Sequence, residues 1–545
     1  MNKLISISII LLALVATGCE DYLETKQITT ITSGNYYSTL EQAETALVGC
    51  YDGLQKIWES GISFPVASTV MADMAFGGTG AADGDGYVMM DEFDKNRSPG
   101  DLNMFEPNWS AYYRAIFRSN TLLLRMNDFD WVTENPERAA IIESEARFIR
   151  AYCYFDLVRM FERVPLLTEP SIENIPQAEP AETYAQIAED LLFAIENGDS
   201  RPYPSIPAND YGHANKWAAQ ALLARVYLYY TGYYGASDLV GMVSQSDALG
   251  HLEDLIANGG FDLIPEYSDL WPAAATYMAA ERGDSISNNT YAGENHQEII
   301  FGIKYTYTSD WNGNADGNHW MVMNGLRSQS WGPLGYGNGW GACTVLPSVY
   351  ANWDSEDRRK ESSIIAVQEE DIDFDQVNDA KEYTGYYTKK YTPTANAAGE
   401  SIAQDVLGGA SFMISQFQDY FSIRYADVLL MAAELGSASA LDYVNAVHTR
   451  AGLDPLPAVD KDIIYEERRL EFAFEGHRYW DLLRYDASLD YAANAVTFSG
   501  TVLNGGVEEP KNIDGSNLKA TRGLFQIPYN QITLSEGVLE QNQGW

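Results

Sequence analysis

Basic residues are scarce in this chain. Lysine and arginine together number 35 against 77 aspartates and glutamates, for a formal net charge of −42. Such a charge repels nucleic acid and anionic headgroups and excludes partners bound through their phosphates. Cysteine is scarce too. Three lie beyond Cys19 (Cys50, Cys153 and Cys343), an odd number at wide spacing, which is no disulfide framework. Cys50 and Cys153 fall in helical patterns and read as core thiols. Six histidines are scattered without metal-ligand spacing. There is no Gly-Xaa-Ser-Xaa-Gly elbow, no His-Glu-Xaa-Xaa-His and no phosphate loop ending in Gly-Lys. Beyond the first residues no run of 18 uncharged apolar residues occurs, so nothing there reads as a membrane span. Disorder is excluded, because 46% of residues are hydrophobic and 12% aromatic. No Pro/Ser-rich linker divides the chain. Residues 19–545 therefore read as one large helical body with insertions at about 61–104 and 259–420.

What is present begins at the N-terminus. Lys3 supplies a short basic region, and Leu4 to Val15 is an apolar run too short to span a bilayer. It ends in Ala16-Thr17-Gly18-Cys19, small residues before a cysteine. The pattern looks like a bacterial lipoprotein signal covering residues 1–18, cleaved so that Cys19 carries lipid. An ordinary signal peptide is the competing reading.

The strongest periodicity is helical. Ile142, Ala146, Ile149, Cys153, Leu157 and Met160 recur at spacings of three and four, which places them on one face. Trp217, Ala221, Ala224 and Leu228 do the same in Ala214–Tyr230. The two segments superpose at a constant offset: Ala146 with Ala219, Ala151 with Ala224, Tyr154 with Tyr227. Small residues at the crossing and an aromatic ring one turn later suit paired helices of the tetratricopeptide kind. Further helical runs are Leu40–Trp58, Trp109–Met126, Ala181–Glu196, Ser246–Ala257, Ile423–Leu435 and Ala438–Arg450. Together they predict a mainly α fold of about four helix hairpins with a long loop-rich half. Unrelated helices in one bundle would give the same pattern.

Between the helices lie aromatic, glycine-rich stretches. The first, Gly61 to Met104, carries Asp73, Phe76 and Tyr87. The second follows a predicted strand, Glu298–Ile303. It carries Trp311, Trp320, Trp331, Tyr336, Asn338 and Trp340, so that four of the 12 tryptophans fall within a short span. Sugar rings stack their apolar faces on aromatic rings and pair their hydroxyls with Asn and Asp, so these residues are the candidate ligand site. The competing reading is that some of the rings cover the helical body.

Enzyme chemistry has one candidate pair, Glu471 and Glu475, one helical turn apart. Glycosidase carboxylates must flank a sugar in a cleft. These sit among Arg468, Arg469 and Arg478, which favours an ion-pair network instead. Asp371, Asp373, Asp375, Asp379 and Glu382 fall at positions one, three, five, nine and twelve of a calcium loop. Position six, which needs glycine, is Gln376, so a solvated acidic loop is the default and no cofactor is expected.

One stretch ties these readings together: Glu466-Glu467-Arg468-Arg469-Leu470-Glu471-Phe472-Ala473-Phe474-Glu475-Gly476-His477-Arg478-Tyr479-Trp480-Asp481-Leu482-Leu483-Arg484. It resembles the signature helix of the SusD/RagB family of nutrient-binding lipoproteins. Asn108–Ile116, Glu145–Ala151, Ile423–Leu430 and the C-terminal Leu524–Pro528 and Leu539–Trp545 resemble other family segments. Leu470, Ala473, Phe474, His477, Trp480 and Leu483 read as one buried stripe, and mid-helix Gly476 as a close approach by another backbone. The resemblance implies a SusD-like α-α superhelix of tetratricopeptide-like hairpins with a loop-rich ligand-binding half. It implies a lipid anchor in the outer membrane facing the cell exterior, where acidic residues after the lipidated cysteine, here Glu20-Asp21, often accompany export. It further implies a glycan ligand and a SusC-like TonB-dependent transporter as partner, with binding and no catalysis. Some members bind peptides, and the sequence does not name the sugar. A glycoside hydrolase and a tetratricopeptide-type protein-binding scaffold stay as alternatives.

Overall fold

The computed structural model describes residues 36–58, 62–94, 103–307, 316–409, 411–413 and 415–545. Ten helices carry the body: α1 (Leu40–Gln55), α2 (Glu106–Met126), α3 (Pro136–Phe161), α4 (Pro180–Asn197), α5 (Lys216–Tyr234), α6 (Gln245–Asn258), α7 (Tyr425–Glu434), α8 (Ala440–Arg450), α9 (Lys461–Glu471) and α10 (Arg478–Tyr485). The fold is mainly α. Each helix from α1 to α9 packs against the next in the chain, and α10 returns to lie on α5. Local chemistry starts and stops them. The Asn215 side chain accepts the Ala218 N–H at 2.9 Å, and Gly235 closes α5 in the left-handed conformation. Ser244 and Asp247 form a capping box at α6. The matched positions of α3 and α5 are all buried, Ala146 and Ala219, Ala151 and Ala224, Tyr154 and Tyr227. Cys50, Cys153 and Cys343 are buried and unbridged. No helix among the described residues is long and apolar enough to cross a membrane.

The two loop-rich stretches meet in one antiparallel sheet. Its strands are β1 (Ala75–Gly78), β3 (Ala342–Val345), β4 (Ile364–Ala366) and β5 (Tyr386–Thr388), in the order β1-β3-β5-β4. A separate pair joins β2 (Ile299–Ile303) to β6 (Tyr420–Arg424). The expected helix from Ile423 therefore starts later, because Ile423 and Arg424 are extended to pair with Phe301 and Ile299. Strands β7 (Phe498–Asn504) and β8 (Val507–Ile513) form a hairpin over a Gly505-Gly506 turn with positive φ at both positions.

The signature segment is two helices, not one. Helix α9 ends at Glu471 and α10 begins at Arg478, with Phe474 (φ 63°) and Gly476 (φ 82°) left-handed between them. The close approach expected at Gly476 is present: a Cβ there would lie 2.8 Å from the Pro65 Cα. Ser68 Oγ also donates to the Gly476 carbonyl at 2.9 Å. Of the expected stripe, all but the half-buried Leu470 are buried.

Candidate functional site

Glu471 and Glu475 open onto no cleft. Both are fully buried. Arg424 binds Glu475 through two parallel hydrogen bonds of 2.9 Å and reaches Glu471 at 2.9 Å and Glu298 at 2.5 Å. Lys390 donates to Glu475 at 2.7 Å. Arg359 donates to Glu467 at 2.6 Å, and Arg450 pairs with both Glu298 and Glu471. Burial opposes ionisation of Glu471, but Arg450, Arg424 and Arg359 outweigh it and hold the carboxyl well below its usual range. Burial presses the Lys390 ammonium down to about 8, with Glu475 opposing. A permanently ionised carboxylate without solvent access can be neither general acid nor nucleophile toward a sugar. The network instead clamps α8, α9, β6 and the α9–α10 turn.

The aromatic candidates separate into distinct places, which corrects the expected single platform. Trp320 is 1% exposed, wedged between Tyr391 and Tyr420 with ring centroids at 5.0 and 5.7 Å. Tyr336 is fully buried and donates its hydroxyl to Glu370 at 2.7 Å. Phe76 is 1% exposed, edge-on to Phe498 at 4.9 Å and beneath the Lys511 ammonium. These three are core residues and present no face to a ligand. Asp73 is held by Arg478 in a bidentate pair of 2.9 and 2.8 Å, so its oxygens are already used. Trp331 is half-buried against a second small apolar cluster that includes Tyr277, Leu334 and Tyr387. Asn338 lies half-buried in a short parallel pairing with Leu326. Trp311 and Cys19 lie outside the described residues.

Two of the candidates do come together. The short helix His319–Met323 is capped by Asn318, whose side chain accepts the Met321 N–H. At one end Tyr87 reaches its Met323, hydroxyl to Sδ at 2.7 Å. At the other end His319 meets Trp340 edge to face at 5.8 Å. The Trp340 backbone N–H donates to the Val322 carbonyl at 2.6 Å, which holds this stretch of backbone beside the helix. Tyr87, His319 and Trp340 are half-buried, as Trp331 is.

Beside this helix the described residues on either side of 308–315 are pinned together in a neck. The Thr306 N–H donates to the Asp316 carbonyl at 2.9 Å, and Gln55 bridges the carbonyls of Lys304 and Asp316. Tyr307 packs on Phe417 at 5.0 Å. Asn318 bonds the Gln416 and Gln418 carbonyls, each at 2.7 Å, and His319 Nδ1 lies 2.5 Å from the Met413 carbonyl. Trp311 falls in the stretch between these anchors. Sequence reasoning missed Tyr307 and Phe417, because neither sits in a tryptophan-rich context. Their pairing is a tertiary fact.

The acidic loop does not assemble a calcium site. Asp371, Asp373 and Asp375 are exposed. Asp379 is paired with Arg327 at 2.9 Å, and Glu382 is buried against Lys511. Among the described residues the single group of close metal-ligating side chains is Asp91, Glu92 and Glu382. The Lys511 ammonium lies among them, 2.6 Å from Asp91 and 3.3 Å from Glu92, in the place a cation would take.

Known proteins resemble the chain over most of its length. Residues 366–545 match the model of the SusD family, and residues 82–228 match a model described as starch-binding, associating with the outer membrane. SusD-like protein P38 of Formosa agariphila is 25% identical over 90% of this chain and 93% of its own. SusD-like protein P2 of the same organism is 24% identical over 88% and 90%. Among solved structures, a laminarin-binding SusD-like protein is 27% identical, with a TM-score of 0.70, and covers 93% of this chain and 100% of its own. Surface glycan-binding protein A from Bacteroides thetaiotaomicron, in complex with laminarihexaose, has the same fold at 23% identity and a TM-score of 0.72, over 93% and 100%. The two solved structures are named for glycan binding.

Proposed function

Because this chain belongs to the SusD/RagB family, we propose that it is a cell-surface lipoprotein that captures oligo- or polysaccharide and passes it to a TonB-dependent transporter of the outer membrane. The observation that carries the ligand class is the laminarin-binding relative, which spans nearly the whole chain at 27% identity. The site we assign is the half-buried group of Tyr87, His319 and Trp340 gathered at the two ends of the His319–Met323 helix, with Trp311 kept as the sequence-based candidate beside it. Rings rigidly backed by the core lose little entropy on stacking, and the flanking polar side chains can meet hydroxyls. The net charge of −42 suits a neutral ligand, and transfer to a transporter requires a reversible, noncovalent hold.

Replacing Trp311 and Trp340 together by alanine tests the site. Retardation of the protein in gels cast with its polysaccharide should fall by about tenfold or more. Unchanged retardation would remove the site assignment. For the anchor, Cys19→Ala should abolish radiolabelled palmitate incorporation, and labelling that persists would overturn lipidation at Cys19. For the partner, the purified protein should bring down a TonB-dependent barrel from outer-membrane extract. Recovery of no barrel would count against delivery.

A further inference from the structure

A second feature lies at the foot of the loop neck. Three adjoining hollows share His213 in their walls. The outer two have volumes of about 370 and 350 Å³. A narrow passage between them carries Tyr203, Tyr211 and Asn295. One end begins at Gln55, Lys304 and Asp316, the residues that close the neck. The other ends at Glu44, Arg138 and Arg201. The three hollows share lining residues and together make one trough with His213 in all its parts.

Its chemistry is specific. Tyr203 and Tyr211 are half-exposed and stacked, with centroids 5.7 Å apart and planes 30° apart. The Tyr203 hydroxyl donates to the Asn295 carbonyl at 2.6 Å and Phe261 backs its ring at 5.6 Å, so the pair is fixed in place. His213 is held in turn. Its Nδ1 lies 2.6 Å from a Glu145 oxygen that also accepts the Tyr51 hydroxyl at 2.7 Å. The Ala214 N–H donates to that same Tyr51 hydroxyl. The cations along the walls are already paired: Arg201 with Asp199 and Asp210, Arg138 with Glu44, Lys304 with Asp419. An anionic ligand would have to break such a pair. A neutral polyhydroxylated ligand would not, and two fixed phenol rings beside an oriented imidazole are suited to it.

We propose that this trough is a second glycan subsite, which takes a neutral segment of a long saccharide chain extending beyond the first site, with Tyr203 and Tyr211 as platform and His213 as hydrogen-bonding partner. The inference rests on the glycan-binding reading above. It makes the protein prefer long chains over short ones, because two linked contacts on one chain reinforce each other.

The test compares wild type, Tyr203→Ala/Tyr211→Ala, Tyr203→Phe/Tyr211→Phe, His213→Gln and Trp340→Ala. Each is measured in gels cast with laminarin, starch, xyloglucan or mixed-linkage β-glucan, and by calorimetry with the matching hexasaccharides. Circular dichroism melting verifies folding, and His213→Gln carries the test if the alanine pair does not fold. On the polymer that retards wild type, Tyr203→Ala/Tyr211→Ala and His213→Gln should weaken binding about tenfold. The phenylalanine pair should retain it, and hexasaccharide binding should change less than in Trp340→Ala. Wild-type retardation by folded Tyr203→Ala/Tyr211→Ala or His213→Gln, with Trp340→Ala weakened, would overturn the trough and leave the proposed function standing. A wild type retarded by none of the polymers would overturn both.

Discussion

Arg424 and Glu475 meet side-on, Nε to Oε2 and Nη2 to Oε1, both at 2.9 Å, and neither side chain reaches solvent. Glu475 sits in the α9–α10 turn and Arg424 ends strand β6, so the pair ties the signature segment to the sheet. Removing Glu475 leaves the buried Lys390 ammonium without its carboxylate and takes one of three carboxylates from Arg424. Glu475→Ala should lower unfolding free energy by about 3–5 kcal/mol, read from urea denaturation. The folded fraction should still bind glycan. A loss under about 1 kcal/mol would show that the cluster does not clamp the fold.

Trp320 and Trp340 are close in sequence but should answer differently to truncation. Trp320→Ala empties a space lined by Tyr391 and Tyr420 and should cost about 3–5 kcal/mol of stability. Trp340→Ala removes a half-buried ring and should weaken polysaccharide retardation with a much smaller change in melting temperature. The reverse pattern would exchange the roles assigned to the two rings.

Glu294 gives a pH signature. Burial first, and then the neighbouring Asp419, push its carboxyl from 4.5 up to about 8. The folded chain therefore keeps a proton there that the unfolded chain releases. Across pH 4.5 to about 8 the folded state binds more protons at this site, so the contribution of Glu294 to stability rises as pH falls through that window. Glu471 has the opposite sign and a different range: its stabilisation is present above its unfolded value of 4.5 and is lost as pH falls toward its much lower folded value. Urea midpoints of wild type and Glu294→Gln, compared at several pH values within the window, isolate the first effect. The variant should gain relative stability toward pH 8. A difference independent of pH would refute the protonated carboxyl.

Lys511 fills the place that a cation would take among Asp91, Glu92 and Glu382. Chelation with EDTA should therefore leave the melting temperature unchanged, whereas Lys511→Ala should lower stability by about 3–5 kcal/mol. A melting temperature that falls on chelation would establish a metal requirement.

The helices were legible because their apolar spacing of three and four survives in the fold, and the α3–α5 offset marked buried contacts at every quoted position. The break in the signature segment was not legible. Its charges and apolar residues keep helical spacing across Phe472–His477, and Gly476 gave the only hint, as a close approach. The aromatic platform was misjudged for a different reason. Trp320 and Tyr336 lie among glycines that looked like loop glycines but admit close packing. A Cβ at Gly339 would sit 1.9 Å from the Asn324 carbonyl oxygen, and one at Gly337 would sit 2.9 Å from Pro393. The partners that bury Trp320, Tyr391 and Tyr420, come from more than seventy residues downstream, where no local pattern announces them. Tyr87 and Trp340 reach the two ends of the His319–Met323 helix for the same kind of reason: β1 and β3 bring their two stretches side by side.

The central claim is glycan capture without catalysis. Its most direct measurement is electrophoresis of the purified mature protein through gels cast with a panel of neutral polysaccharides that includes laminarin, followed by reducing-sugar analysis of the same mixtures. The account predicts marked retardation by at least one polysaccharide and no release of reducing ends. Free migration through every gel, or release of reducing ends from a bound polysaccharide, would contradict it.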